Sequence, residues 1–153
     1  MSHPLREGIF NKLLEVDPDF VMAHLQRALF FERHGKLLEA IHDWEFDDEE
    51  HYGPEKAHKW AEQYREALEN SGPSGYWSVQ INHLQQYAKD GVTVRPWYFA
   101  RAYTYLGDHD RALEWLSKSS DGIRTNLLYN PDWDSLRSDL RFQELLRRMN
   151  SPQ

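Results

Sequence analysis

The sequence predicts an all-α fold built as an array of antiparallel helix pairs. Three observations carry that prediction. Apolar residues recur at intervals of three and four along nearly the whole chain, and no segment alternates apolar and polar residues as a half-buried strand does. A five-residue skeleton occurs twice, as Ala28, Phe31, Gly35, Ala40, Trp44 and as Ala100, Tyr103, Gly107, Ala112, Leu116, with every matched position 72 residues apart. That offset is about twice the 34-residue period of a helix–turn–helix repeat. Finally, glycine and proline stand at the ends of the periodic segments, where helices stop and start.

The first segment, Leu5, Ile9, Phe10, Leu13 and Leu14, has helical spacing and stops near Asp17-Pro18, which predicts a helix over 5–16. Asp19 is placed to cap the next helix, whose apolar positions include Val21, Leu25, Ala28, Leu29 and Phe31. Gly35 breaks that helix, and its partner follows through Leu37, Leu38, Ile41 and Trp44. Only two or three residues separate the two, so they must lie antiparallel. Gly53-Pro54 marks the next break. A third helix is expected from about Glu55 to Glu69 along Ala57, Trp60, Ala61, Tyr64 and Leu68, and Ser71-Gly72-Pro73-Ser74-Gly75 reads as the clearest loop in the chain.

Beyond that loop, Trp77, Ile81, Leu84 and Ala88 predict a helix ended by Gly91. Pro96 suits the first turn of the following helix, where its missing N–H costs nothing. Trp97, Ala100, Tyr103 and Leu106 lead to Gly107, a residue suited to left-handed backbone, and Asp108 caps the partner helix through Ala112, Leu113, Trp115 and Leu116. Arg124 to Tyr129 forms one short helix ended by Asn130-Pro131. Phe142, Leu145, Leu146 and Met149 close the chain as an amphipathic helix with arginines on its wet face.

At 153 residues, one core and a single domain over 1–153 are expected. Aromatic residues make up 14% of the chain and run from Phe10 to Phe142, which predicts order nearly throughout. The mean hydropathy of −0.82 suits thin stacked helices that keep much of their surface wet. A formal charge of −7 argues against nucleic acid or an anionic membrane as the partner. The lack of cysteine excludes a disulfide framework and thiolate metal sites. No apolar run approaches about 20 residues and no signal-peptide h-region begins the chain, so a cytoplasmic location is expected.

The skeleton has a mechanical meaning. Small residues such as Ala28 and Ala40 let two helix backbones approach, aromatics fill the space to the neighbouring pair, and Gly35 makes the tight turn. One pair cannot bury both its faces, so pairs stack. These spacings resemble the tetratricopeptide repeat, and Trp60 takes the leading aromatic position of a degenerate middle copy. The stretch Leu106-Gly107-Asp108-His109-Asp110-Arg111-Ala112-Leu113-Glu114-Trp115-Leu116, followed by Leu136-Arg137-Ser138-Asp139 and Arg141–Met149, is similar to the C-terminal end of bacterial tetratricopeptide proteins. The two prolines usual in that end are replaced here by Ser135 and Leu140. The resemblance covers roughly residues 4 to 149. It implies a right-handed superhelical solenoid: a half-repeat at 5–16, a repeat at 19–50, a degenerate repeat at 54–90, a repeat at 94–120 and a C-terminal cap at 121–150. Phe10 and Pro18 are spaced as in the second half of a pair, so the first helix is expected to lack its mate. Either the chain is part of a longer protein, or another chain covers that face.

In such arrays the first helices of each pair line a concave groove that binds extended peptides or partner helices. Carried onto this sequence, the groove presents Met22, Leu25, Leu29, Arg33, His58, Arg65, Trp97, Arg101 and Tyr105. An apolar floor with Arg33, Arg65 and Arg101 suits a peptide bearing carboxylates. The plainer reading makes the leucines core and the arginines a solvated face. Asp47 to Glu50 forms an acidic run without the ligand spacing of an EF-hand, and reads as a solvated helix end. His42 and His51 lack a His-Glu-x-x-His context, so no metal site and no cofactor are expected. Asp108-His109-Asp110 suggests acid–base chemistry, but its place after Gly107 makes it a helix N-terminus. With no Gly-x-Ser-x-Gly, P-loop or Gly-x-Gly-x-x-Gly, the expectation is a non-enzymatic scaffold binding a peptide or partner protein. The alternative is a sensory, regulatory or oligomerisation module of a longer bacterial transcription regulator or kinase. A homodimer through the unpaired first helix is compatible with both.

Overall fold

A computed structural model describes residues 3–119 and 123–150. Among these residues every regular element is helical. In chain order they are α1 (His3–Val16), α2 (Val21–Arg33), α3 (Leu37–Tyr52), α4 (Pro54–Lys89), α5 (Pro96–Leu106), α6 (His109–Ser117), α7 (Arg124–Tyr129), a 3₁₀ turn (Pro131–Leu136) and α8 (Leu140–Met149). The described residues fall into two compact units, one within Met1–Gly72 and one within Pro73–Gln153.

The first unit is organised by the hairpin of α2 and α3. Ala28 and Ala40 are fully buried, small side chains of the kind that let two helix backbones approach. Gly35 takes φ of 73°, and two hydrogen bonds close the turn: Lys36 N–H to the Phe31 carbonyl at 2.8 Å and Gly35 N–H to the Glu32 carbonyl at 3.1 Å. This is the glycine-ended helix termination that satisfies otherwise orphaned carbonyls. Phe30, Phe31 and Ala40 form the local core, with Phe10 of α1 and Trp44 of α3 packed against it. Residues 54–71 of α4 add Ala57, Trp60, Ala61 and Tyr64, all buried.

The second unit repeats the device. Ala100 and Ala112 are fully buried, and Gly107 takes φ of 87°. The turn closes through Asp108 N–H to the Tyr103 carbonyl at 3.0 Å and Gly107 N–H to the Thr104 carbonyl at 3.1 Å. Asp108 also caps α6, accepting the Arg111 backbone N–H at 3.1 Å. Leu127, Trp133, Leu136, Phe142 and Leu145, from α7, the 3₁₀ turn and α8, are all buried in this unit.

Two local expectations are corrected. Asp19 does not cap α2: the residue before that helix is Phe20, which offers no side-chain bond, and the Asp19 N–H instead donates to Asp17 Oδ1 at 3.2 Å. The five-residue loop at 71–75 shrinks to one residue. Gly72 alone leaves helical geometry (φ 65°, ψ −154°), and Pro73 starts the following helical stretch, where a proline needs no donor. The 3₁₀ turn at Pro131–Leu136 was not anticipated. Asn130 initiates it by accepting the Asp132 N–H at 2.9 Å, which is turn chemistry carried by one side chain.

Candidate functional site

The exposed apolar residues concentrate on α1. Leu5, Ile9, Leu13 and Val16 are 63%, 44%, 41% and 88% exposed, while Phe10 and Leu14 on the other side of the helix are half-buried. At 3.6 residues per turn the four exposed side chains lie within an arc of about 80°. They form a stripe facing away from the hairpin, to which the helix is held by the Phe10–Phe30 ring contact at 5.8 Å and by Lys36 Nζ on Glu7 Oε2 at 2.9 Å. Phe20 and Met22 follow in the chain and are also exposed. Isolated surface leucines need no explanation, but a continuous helical stripe does. The spacing of Phe10 and Pro18 gave the expectation that this helix lacks its mate.

The nine groove residues divide by environment. In the first unit Met22 is exposed, Leu25 and Arg33 are half-buried, and Leu29 is buried in the interior. His58 and Arg65 meet at Glu45 of α3: His58 Nδ1 lies 3.1 Å from Oε1, and Arg65 Nη2 lies 3.6 Å from Oε2. Arg65 also donates to Glu62. A peptide carboxylate at Arg65 would therefore displace carboxylates already present. In the second unit Trp97 stacks on Tyr98 at 4.1 Å, and both are half-buried.

Arg101 and Tyr105 belong to a buried assembly. Arg101 is 1% exposed and donates from Nε to Asp132 Oδ2 at 2.9 Å, and the Tyr105 hydroxyl donates to Asp132 Oδ1 at 2.5 Å. Trp77 stacks on Tyr105 at 4.6 Å, with the Arg101 guanidinium above both rings. The arginine thus joins α5 to the 3₁₀ turn, a role that its helical position alone does not reveal.

The first unit has a comparable cluster. Asp43 has 0% exposure and accepts from Arg27 Nε and Nη2 at 2.8 and 2.7 Å, with His24 Nδ1 at 2.6 Å. His24 Nε2 lies 2.8 Å from the Pro18 carbonyl, so the cluster ties α2 and α3 to the turn after α1. Both buried carboxylates are saturated by their neighbours, which suits a structural role. Sequence reasoning missed Asp43 and Asp132. The available signal was in the repeat itself: Arg27 and Asp43 stand 72 residues before Phe99 and Trp115, an opposite charge pair where the other copy has two aromatics.

The acidic run is not a uniformly solvated helix end. Glu49 and Glu50 are exposed, but Asp48 is buried and Asp47 half-buried. Burial raises the Asp47 carboxyl above its ordinary range, His51 opposes that rise and Glu50 adds to it. Among the described residues no group of three or more His, Asp or Glu side chains converges as metal ligands do. In the Asp108-His109-Asp110 segment, Asp108 caps α6 and Asp110 accepts from Arg141 Nη1 of α8 at 2.7 Å. Arg141 also donates two side-chain bonds to Asp139, which with the Arg141 backbone N–H hold that carboxyl down at about 2.

Among the described residues no helix is long and apolar enough to cross a membrane. No family model matches the chain, and no curated protein or solved structure matches it.

Proposed function

We propose that this chain is a non-enzymatic, tetratricopeptide-like helical-repeat module that binds another protein, and that the outer face of α1 is its principal binding surface. The repeat reading is supported by the two hairpins: the same alanines are buried and the same glycines turn the chain, 72 residues apart. The binding reading rests above all on the stripe Leu5, Ile9, Leu13 and Val16, whose exposure is the kind of feature that a partner helix removes from water.

A photo-crosslinking side chain at Ile9 in the intact chain, irradiated in cells, tests this. A discrete protein adduct is expected at Ile9, and none at Glu66, an exposed polar position of α4. Equal labelling at both positions would contradict the proposal.

The concave groove is a second surface on the same reading, favoured by exposed Met22 beside half-buried Leu25. Its test belongs to Met22→Asp and Arg65→Ala. Replacing Arg101 would leave Asp132 buried without its cation and would measure folding instead.

A further inference from the structure

We infer that the occupant of the α1 face is a second copy of this chain, packed antiparallel through α1 about a twofold axis. This rests on the reading of α1 as the binding surface and adds the identity and register of the partner.

The charges along the stripe select the arrangement. Exposed Arg6 lies in the first part of the segment and exposed Lys12 near its middle, while exposed Glu15, Asp17 and Asp19 lie at its end. Glu7 is already paired with Lys36. A parallel pair would set like charges side by side, whereas an antiparallel pair sets the basic part of each helix against the acidic end of the other.

The register follows from one flank. Asp17 continues the helical ladder, its N–H donating to the Leu13 carbonyl at 2.9 Å. On a 3.6-residue helix, Arg6 and Asp17 therefore fall within about 20° of each other on the same side of the stripe. A twofold axis perpendicular to the helices keeps each flank on its own side and reverses direction. Placed midway between Asn11 and Lys12, it sets Arg6 of each copy level with Asp17 of the other.

That same placement interleaves the apolar side chains. The second copy's Val16 falls level with Glu7, between Leu5 and Ile9, and its Leu13 falls level with Phe10, between Ile9 and Leu13. Its Ile9 falls level with Leu14, between Leu13 and Val16. The register chosen by charge is thus also one in which knobs enter gaps. On the opposite flank the two Lys12 side chains approach the axis, and Glu15, three residues on in each helix, offsets their repulsion. A pair of helices of 14 residues is a small interface, at the low end of specific ones, so association is to be sought up to high micromolar concentration.

Sedimentation equilibrium of the intact chain, from low to several hundred micromolar, tests the inference. The wild type is expected to form dimers. Leu13→Glu, at an exposed position, should remain monomeric with unchanged helical content. Arg6→Asp should weaken the dimer about tenfold, and Arg6→Asp combined with Asp17→Arg should restore it, because the exchange keeps the pair across the axis. A wild type that stays monomeric, a dimer indifferent to Leu13→Glu, or a charge exchange that fails to restore association would each overturn the inference. A monomer that still gives a heterologous adduct at Ile9 overturns the second copy alone, whereas a monomer with no specific adduct overturns the α1 surface as well.

Discussion

The hairpin of α2 and α3 and the hairpin of α5 and α6 share alanines, glycines and turn hydrogen bonds, yet they fill equivalent space with opposite chemistry. Where the first places Arg27 and Asp43, joined by two hydrogen bonds, the second places Phe99 and Trp115, stacked at 4.2 Å with planes 11° apart. A largely desolvated ion pair and an aromatic stack can stand at matching positions because both are satisfied: the charges bond each other with help from His24 and Asn11, and the rings need no polar partner. They differ in tolerance. An ion pair fails when one member is lost, whereas a stack declines as area and contact are removed. The units also differ at their flanks. Beside α5 and α6, the elements that follow contribute buried Trp133, Leu136, Phe142 and Leu145, while α1 beside the first hairpin leaves an apolar stripe exposed.

The largest effect should come from breaking the ion pair on one side. Asp43→Ala strands Arg27 and His24 in the interior and should cost about 3–5 kcal/mol in urea unfolding. Arg27→Leu with His24→Leu and Asp43→Leu removes the whole buried cluster and should recover most of that loss. In the second hairpin Phe99→Ala should cost about 3–5 kcal/mol as well, but adding Trp115→Ala should destabilise further. Opposite responses to the further substitutions are what the two chemistries require; matching responses would mean that the slots are not equivalent.

A smaller difference lies at the helix starts. Asp108 caps α6, whereas Lys36, 72 residues earlier, offers α3 no side-chain bond. Asp108→Ala should cost about 1 kcal/mol. Lys36→Asp should gain less than that, since it surrenders the contact with Glu7. The two variants are read from the same urea midpoints.

The acid limb of stability separates the units most gently. Asp139 has a depressed folded-state pKa, about 2, set first by its side-chain bonds from Arg141. Its stabilising contribution is complete above the ordinary aspartate range and is lost as pH falls toward 2. Asp47 behaves oppositely. Its pKa is raised by burial, so it opposes folding increasingly as pH rises through and above the ordinary aspartate range. Asp139→Asn should therefore flatten the loss of stability between about pH 4 and pH 2, and Asp47→Asn should flatten a gain on acidification in the first unit. Titrations monitored by side-chain NMR would resolve the two.

The helical elements were legible because their signals are local. Gly35 and Gly107 announce left-handed turns, Pro96 opens a helix, and Asp108 has the side chain that a cap needs. Asp19 has the same side chain but stands one residue too early, because α2 begins at Val21 and its cap position falls on Phe20. Gly72-Pro73 punctuated the chain as expected, although one residue sufficed for the break. What the sequence hid was pairing over distance. Arg101 has the periodicity of a surface residue, and only Asp132, arriving 31 residues later on an unforeseen 3₁₀ turn, explains why it is buried. The expectation that the first helix lacks a mate came from the spacing of Phe10 and Pro18, whereas the exposed stripe on its outer side is visible only in the burial of the folded chain.

The most direct measurement uses the absence of cysteine from the chain. A single cysteine introduced by Lys12→Cys sits beside the twofold axis, close enough to the same residue of a second copy to form a disulfide. One introduced by Leu5→Cys lies at the far end of the helix from its counterpart. Under mild oxidation at high micromolar concentration, Lys12→Cys should form a covalent dimer rapidly and Leu5→Cys should not. Rapid linkage at Leu5 with none at Lys12, or no linkage at either, would contradict an antiparallel pair across α1.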